Sequence, residues 1–344
     1  VARGASHLTA IKDAPQGLDL SDEQLLEIYY KMQLSRALSV RQRMLQRMGK
    51  GAITYSGEGH EATQVGTAFA LRPGHDWLYT YYRDIGVVLT IGMTAREVIS
   101  SFFAIRDDIN SGGRNMPSHY SHKALRIVSE GAPVATQLPH AAGTALASRL
   151  RGLDEVSVVY FGDGATSTGD THEAMNFAGI HKLPVIFVCE FNGYAISVRW
   201  RNQAAIDNVA VRAAGYGFPG VTIDGNDVLG VYSTMKEAVE RARRGDGPTF
   251  IEAKTYRLVP HSSDDDDRRY RTQQEVEEWA AKDPLARFAR QLHDAGLLND
   301  GRDREITDRV GREVDDATEY GETAPRPDPA DALRPVFVEQ GKEP

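Results

Sequence analysis

Residues 137–253 alternate between helical patterning and short apolar runs, and this alternation restricts the fold more than any other feature of the chain. Runs at 156–161, 185–189, 220–223 and 249–253 read as strands; stretches at 137–149, 170–181 and 228–244 read as helices. A helix between two strands returns the chain in the direction it left, so neighbouring strands run parallel. The expected fold class is α/β: a doubly wound, mostly parallel sheet with helices on both faces. The strands are apolar at successive positions, which predicts burial on both sides.

Upstream, Ser21-Asp22-Glu23-Gln24 forms a capping-box pattern, and Leu25, Ile28, Tyr29 and Met32 begin a helical stripe that runs to Met48, before Gly49 and Gly51. The stripe fits equally a helix covering the core and a subunit contact. Helical patterning recurs at 57–71 and 94–105, and the glycine- and asparagine-rich stretch 110–117 is a loop. Beyond Tyr256 a charged segment at 261–271 fits no regular element, and charge-rich helix follows from about Gln273 to Tyr320. Pro325, Pro327 and Pro329 interrupt it before a short amphipathic end. The division expected is an N-terminal helical arm at 1–50, an α/β domain at 51–272 that includes a loop at 256–272, and a C-terminal helical region at 273–344.

Forty basic residues against 48 acidic ones give a net charge of -8, which argues against a nucleic-acid partner and leaves anion binding to a local pocket. The single cysteine, Cys189, excludes an intrachain disulfide and a cysteine zinc cluster. No window approaches the length of a membrane span, and residues 1–20 carry no apolar signal-peptide core. A soluble cytoplasmic protein of bacterial type is expected.

The strongest chemical signal is Phe161-Gly162-Asp163-Gly164-Ala165-Thr166, a glycine-rich turn between an apolar strand and a helix, where backbone amides can approach an anion. After Gly164 the next glycine is Gly169, out of register for a nicotinamide-binding turn. Asp163 lies at the carboxyl end of one strand and Asn192 just beyond the next; in a doubly wound sheet those ends can meet at the ligand crevice. A carboxylate, an amide oxygen and the Tyr194 carbonyl would make half a cage for a hard divalent cation that keeps phosphate oxygens. Asp-Gly and Asn-Gly are also ordinary turns, and both readings stand on the residues alone.

Gly162-Asp163-Gly164, a gap of 27 residues and then Asn192 resemble the thiamine diphosphate fingerprint. The longer string from Tyr160 to Ser197 resembles the alpha subunit of the 2-oxo acid dehydrogenase decarboxylase component, with likeness from about Ser21 to Phe337. Ala132-Pro133-Val134-Ala135-Thr136-Gln137-Leu138-Pro139 and Pro260-His261-Ser262-Ser263-Asp264-Asp265 are more similar to the branched-chain type than to the pyruvate type. The resemblance implies an oxidoreductase that decarboxylates branched-chain 2-oxo acids and passes the acyl group to a lipoyl domain of an acyltransferase core. Pyruvate or acetoin is the alternative substrate.

It also implies an α₂β₂ assembly in which thiamine diphosphate and magnesium lie between subunits, with the activating glutamate on the beta subunit. By resemblance Tyr82 and Arg83 contact the diphosphate, as do the Gly162, Gly164 and Ala165 backbone and His261. Asp163, Asn192 and the Tyr194 carbonyl hold magnesium, and Val134 contacts the aminopyrimidine. His261 and His119 are the catalytic candidates, and Tyr81, His119 and Tyr120 line the substrate pocket. A salt bridge to Asp84 is the competing role for Arg83, and solvated surface that for His261 and the Asp264–Asp267 run. The chain departs from the family pattern at Phe191, commonly asparagine, and at Glu190, basic in animal branched-chain members. Ser262 aligns with the site phosphorylated in mitochondrial relatives and is taken as a loop residue.

Overall fold

In the computed structural model, which describes residues 7–333, the expected strands join one parallel sheet. Its members are β1 (Trp77–Tyr79), β2 (Ser157–Gly162), β3 (Val185–Phe191), β6 (Gly220–Asp224) and β7 (Thr249–Lys254), in the order β1-β2-β3-β7-β6. The short strands β4 (Tyr194–Ala195) and β5 (Val198–Arg199) form a separate antiparallel hairpin just after β3. Gly162 of β2 is in register with Glu190 of β3, so Asp163 and Asn192 leave adjacent strands at the same end of the sheet.

Ten α-helices surround the sheet among the described residues: α1 (Asp22–Arg47), α2 (Glu61–Phe69), α3 (Ile85–Ile91), α4 (Ala95–Phe103), α5 (Gln137–Leu150), α6 (Gly169–Ile180), α7 (Val228–Arg243), α8 (Gln273–Ala280), α9 (Pro284–Asp294) and α10 (Asp300–Thr323). Alternating side chains divide the core. Val158, Tyr160, Ile186, Val188 and Ile251 face one side and pack with residues of α1, α3, α4, α7 and α10. Val159, Phe161, Phe187, Cys189 and Phe250 face the other, against α5 and α6, where Ala141, Ala142, Ala145 and Ala178 permit close approach.

The capping box at Ser21 is formed, with Gln24 and Ser21 exchanging side chain-to-backbone hydrogen bonds. The long helix that follows covers the core: Tyr30, Leu34, Leu38 and Leu45 are buried in it. Arg36 on α1 pairs with the buried Glu61 at 2.5 Å and with Asp283 at 2.9 Å, tying α1 to α2 and α9. Glu61 also accepts the Gly59 N–H at 2.9 Å, which fixes the 56–60 segment beneath the crevice.

Two expectations change. β6 is an edge strand whose residues alternate between exposed and half-buried, so it is not covered on both faces as a uniformly apolar reading required. The aspartate run is not a plain solvated stretch. Asp265 accepts the His261 N–H at 2.9 Å and the Tyr270 hydroxyl, and Asp267 pairs with the buried Arg271 at 2.5 Å, so these carboxylates shape the loop. The amphipathic end expected after Pro329 falls largely at 334–344, outside the described residues.

Candidate cofactor and active site

The carboxyl ends of β2 and β3 open into a cleft of about 360 Å³, lined by Tyr81, Tyr82, Arg83, Val134, Gly162, Asp163, Gly164, Ala165, Asn192, Tyr194 and His261. Eleven side chains or turns singled out in the sequence thus share one cavity, although they span 181 positions of the chain. His119 and Tyr120 do not line it. Both are buried, His119 with Nδ1 3.1 Å from the Pro117 carbonyl and Tyr120 in the hydrophobic core.

Asp163 is fully buried, and its Oδ2 accepts from Gln203 at 3.2 Å while Oδ1 has no partner among the described residues. Burial pushes its carboxyl up to about 6 against the lowering effect of the Gln203 bond. The Asn192 amide oxygen accepts the Tyr194 N–H at 3.2 Å, and its nitrogen lies 3.4 Å from His60 Nε2. The Tyr194 hydroxyl donates to Glu275 at 2.6 Å, which fixes the ring.

Next to these acceptors the cleft is crowded with cationic groups. Arg83 is buried and donates to the Ser56 carbonyl at 2.6 Å, and its Nη2 lies 3.4 Å from His261 Nδ1. It forms no pair with Asp84, which accepts the Tyr81 N–H at 2.8 Å. Arg257, also buried, places Nη1 2.8 Å from the same His261 nitrogen and donates to the Ile196 carbonyl at 2.7 Å. The Nε atoms of both arginines are buried without partners. Burial, then Arg83 and Arg257, pull the His261 imidazole down to about 3, so it is neutral at pH 7. The same three causes hold His60 well below its ordinary range. Two buried guanidiniums converging on one neutral imidazole leave a concentration of positive charge that an anion would neutralise.

The turn opposite is built for close approach. A Cβ at Gly164 would come within 2.8 Å of Ala195 on the β4–β5 hairpin, whereas one at Gly162 meets no atom within 4 Å and would point into open space. Gly164→Val is therefore expected to displace the hairpin and cost about 1–3 kcal/mol of stability, read as a lowered thermal midpoint. An unchanged midpoint would show that the hairpin yields freely.

Glu190 lies behind the Tyr81–Asp84 turn. It accepts from the Tyr81 hydroxyl at 2.9 Å and from Gln64 at 3.1 Å. Burial and the Glu190 charge push Asp84 well above the ordinary carboxyl range, making Asp84 the protonated member of the pair. Gln64 also donates to the Arg83 carbonyl at 2.9 Å, so this buried network sets the path of the Tyr82-Arg83 turn.

Tyr55, Glu130 and Arg257 line the cleft without having been singled out from sequence. Only Arg257 left a signal, a lone charge in the Tyr256–Val259 stretch just past an apolar strand.

A family profile described as "Dehydrogenase E1 component" matches residues 29–330. The chain is 50% identical to the 2-oxoisovalerate dehydrogenase subunit alpha of Bacillus subtilis, over 94% of this chain and 98% of that one. It is 42% identical to the 3-methyl-2-oxobutanoate dehydrogenase subunit alpha of Mycobacterium tuberculosis, over 85% of this chain and 77% of that one. It is 37% identical to the pyruvate dehydrogenase E1 component subunit alpha of Staphylococcus aureus, over 86% of this chain and 77% of that one. On a match that takes in the whole sheet and every residue of the cleft, the chain belongs to the dehydrogenase E1 component family.

Proposed function

We propose that the chain is the alpha subunit of a thiamine diphosphate-dependent branched-chain 2-oxo acid dehydrogenase, which carries out oxidative decarboxylation and passes the acyl group to a lipoyl-bearing acyltransferase. The observation that carries the reading is the convergence of Arg83, Arg257 and His261 on a cleft whose opposite wall is the Gly162–Ala165 turn. The higher identity to branched-chain relatives than to the pyruvate relative supports the substrate class.

The residues present fit a magnesium diphosphate. Asp163 offers an unpartnered buried oxygen, and Asn192 and the Tyr194 carbonyl complete an oxygen donor set suited to a hard cation. Arg83 and Arg257 offer forked donors for the diphosphate oxygens, and the open side of Gly162 admits them to the backbone. Thiamine diphosphate, when bound, supplies the carbanion that adds to the substrate carbonyl and accepts the electrons released with carbon dioxide. His261 is neutral and able to accept a proton or a hydrogen bond near the phosphates. Val134 offers an apolar surface to the aminopyrimidine, Tyr82 stands beside Arg83 at the diphosphate, and Tyr81 walls the substrate end. His119 and Tyr120 act from behind that wall, as supports rather than contacts. A beta subunit in an α₂β₂ tetramer, the lipoyl domain and a cytoplasmic setting complete the proposal; no described helix is long and apolar enough to cross a membrane.

The test is turnover of 3-methyl-2-oxobutanoate and pyruvate by the chain assembled with its beta subunit, thiamine diphosphate and magnesium, with an artificial electron acceptor. Preference for the branched acid is expected. Preference for pyruvate would move the chain to the sister substrate class, and no turnover of either would remove the enzymatic reading.

A further inference from the structure

The cleft contains one acid that the holding of a magnesium diphosphate leaves unused. Glu130 donates its main-chain N–H to the Tyr120 carbonyl at 3.3 Å and accepts from the Asn115 amide at 3.3 Å, so its backbone is fixed against the His119–Tyr120 segment. Its side chain is 6% exposed and lines the cleft with Tyr82 and Val134. Its carboxyl stands near the Tyr82 backbone, and Oε2 is buried without a partner among the described residues. Tyr120 and Asp84 are the acidic groups that feel its charge; Tyr82, Arg83 and His261 share its cleft.

An oriented, buried carboxyl with one unsatisfied oxygen is costly unless something pairs with it. No described lysine or arginine forms an ion pair with it, and burial drives the carboxyl well above its ordinary range, so it is held as the neutral acid. Ionised, it would repel an anionic 2-oxo acid; neutral, it has one O–H to give, and a 2-oxo acid presents acceptor oxygens on both its carboxylate and its carbonyl.

We propose that Glu130 is a substrate-binding residue whose carboxyl donates a hydrogen bond to an oxygen of the 2-oxo acid. The inference rests on the 2-oxo acid reading of the cleft. It gives Glu130 a role in selection as well, because a ligand lacking the acceptor would leave the buried donor unpaired.

The experiment uses the assembled α and β subunits with Glu130→Gln and Glu130→Met. Substrate KM is measured from pH 6 to 9, and substrate Kd by calorimetry with an inert thiamine diphosphate analogue in the site. Gln keeps a donor and is expected to bind substrate within about three-fold of wild type, whereas Met removes it and raises KM and Kd about ten-fold. Cofactor affinity stays unchanged in both. Any rise of wild-type Kd with pH that comes from ionisation of Glu130 is absent in Glu130→Gln. Wild-type Kd in Glu130→Met, tighter binding in Glu130→Gln at pH 7, or a parallel loss of cofactor affinity would each overturn the assignment. If wild type prefers pyruvate, the branched-chain reading fails and the same ratios on pyruvate judge Glu130. If wild type turns over neither acid but binds one by calorimetry, the enzymatic reading fails and Glu130 is judged on Kd. If it binds none, both fall.

Discussion

Asp163→Asn is expected to abolish magnesium-dependent binding of thiamine diphosphate, lowering affinity by at least about 100-fold, without destabilising the protein that holds no cofactor. The carboxyl is fully buried and leaves Oδ1 unpartnered, so at pH 7 the fold carries an ionised group with incomplete compensation. Its folded pKa of about 6 stands above the ordinary 3.8, which corresponds to a penalty of about 3 kcal/mol once pH exceeds both. The sign follows from linkage: a raised carboxyl pKa contributes stability below the unfolded value and loses it as pH rises through about 6. An isosteric amide removes the charge, so the variant without cofactor should be as stable as wild type or more so at pH 7.5, with the advantage shrinking towards pH 5. Denaturant titrations at the two pH values, beside cofactor titrations with and without magnesium, read both halves. Wild-type magnesium-dependent affinity in the variant would remove Asp163 from the cation site; lost stability at pH 7.5 would make it a structural acid instead.

The parts of this fold legible in sequence are those whose signal is local. The strands at β2, β3 and β7 and the helices α5, α6 and α7 coincide with runs whose periodicity could be read directly. β1 and α3 went unread because three and seven residues are too short to establish a period, and both are held by neighbours: β1 by pairing to β2, α3 by burial of nearly all its residues. β6 was misread on one count, since its place at the edge depends on sheet order, which no single strand encodes. The same distinction runs through the cleft. Gly162, Asp163 and Asn192 stand in turns at strand ends, where a residue's neighbours already announce a place at the ligand crevice. His60, Glu130 and Arg257 acquire their meaning only from residues far away in the chain: His60 from Asn192, Glu130 from Tyr82, and Arg257 from His261 and Arg83.

Arg257→Met tests the charge arrangement by a pair of opposed effects. In the structure Arg257 and Arg83 both approach His261 Nδ1, at 2.8 and 3.4 Å, and burial followed by the Arg83 charge lowers the Arg257 guanidinium from its ordinary range. Removing Arg257 forfeits its hydrogen bond to the Ile196 carbonyl but relieves that repulsion, so stability without cofactor should change by less than about 1 kcal/mol. Diphosphate affinity, by contrast, loses a charge-assisted contact and should fall about 100-fold. His261 supplies an independent readout. Its folded pKa of about 3 lies below the ordinary 6.5, so an anion arriving between the arginines raises it and His261 takes up protons, whereas a cation on Asp163 releases them. Calorimetry in two buffers of different ionisation enthalpy measures the net proton balance, which His261→Ala should shift towards release while the chain stays folded. A structural arginine would show the reverse pattern, with a large loss of stability and little loss of affinity. Equal losses of both would mean that the fold, rather than the diphosphate, is what neutralises the positive charge at this end of the cleft.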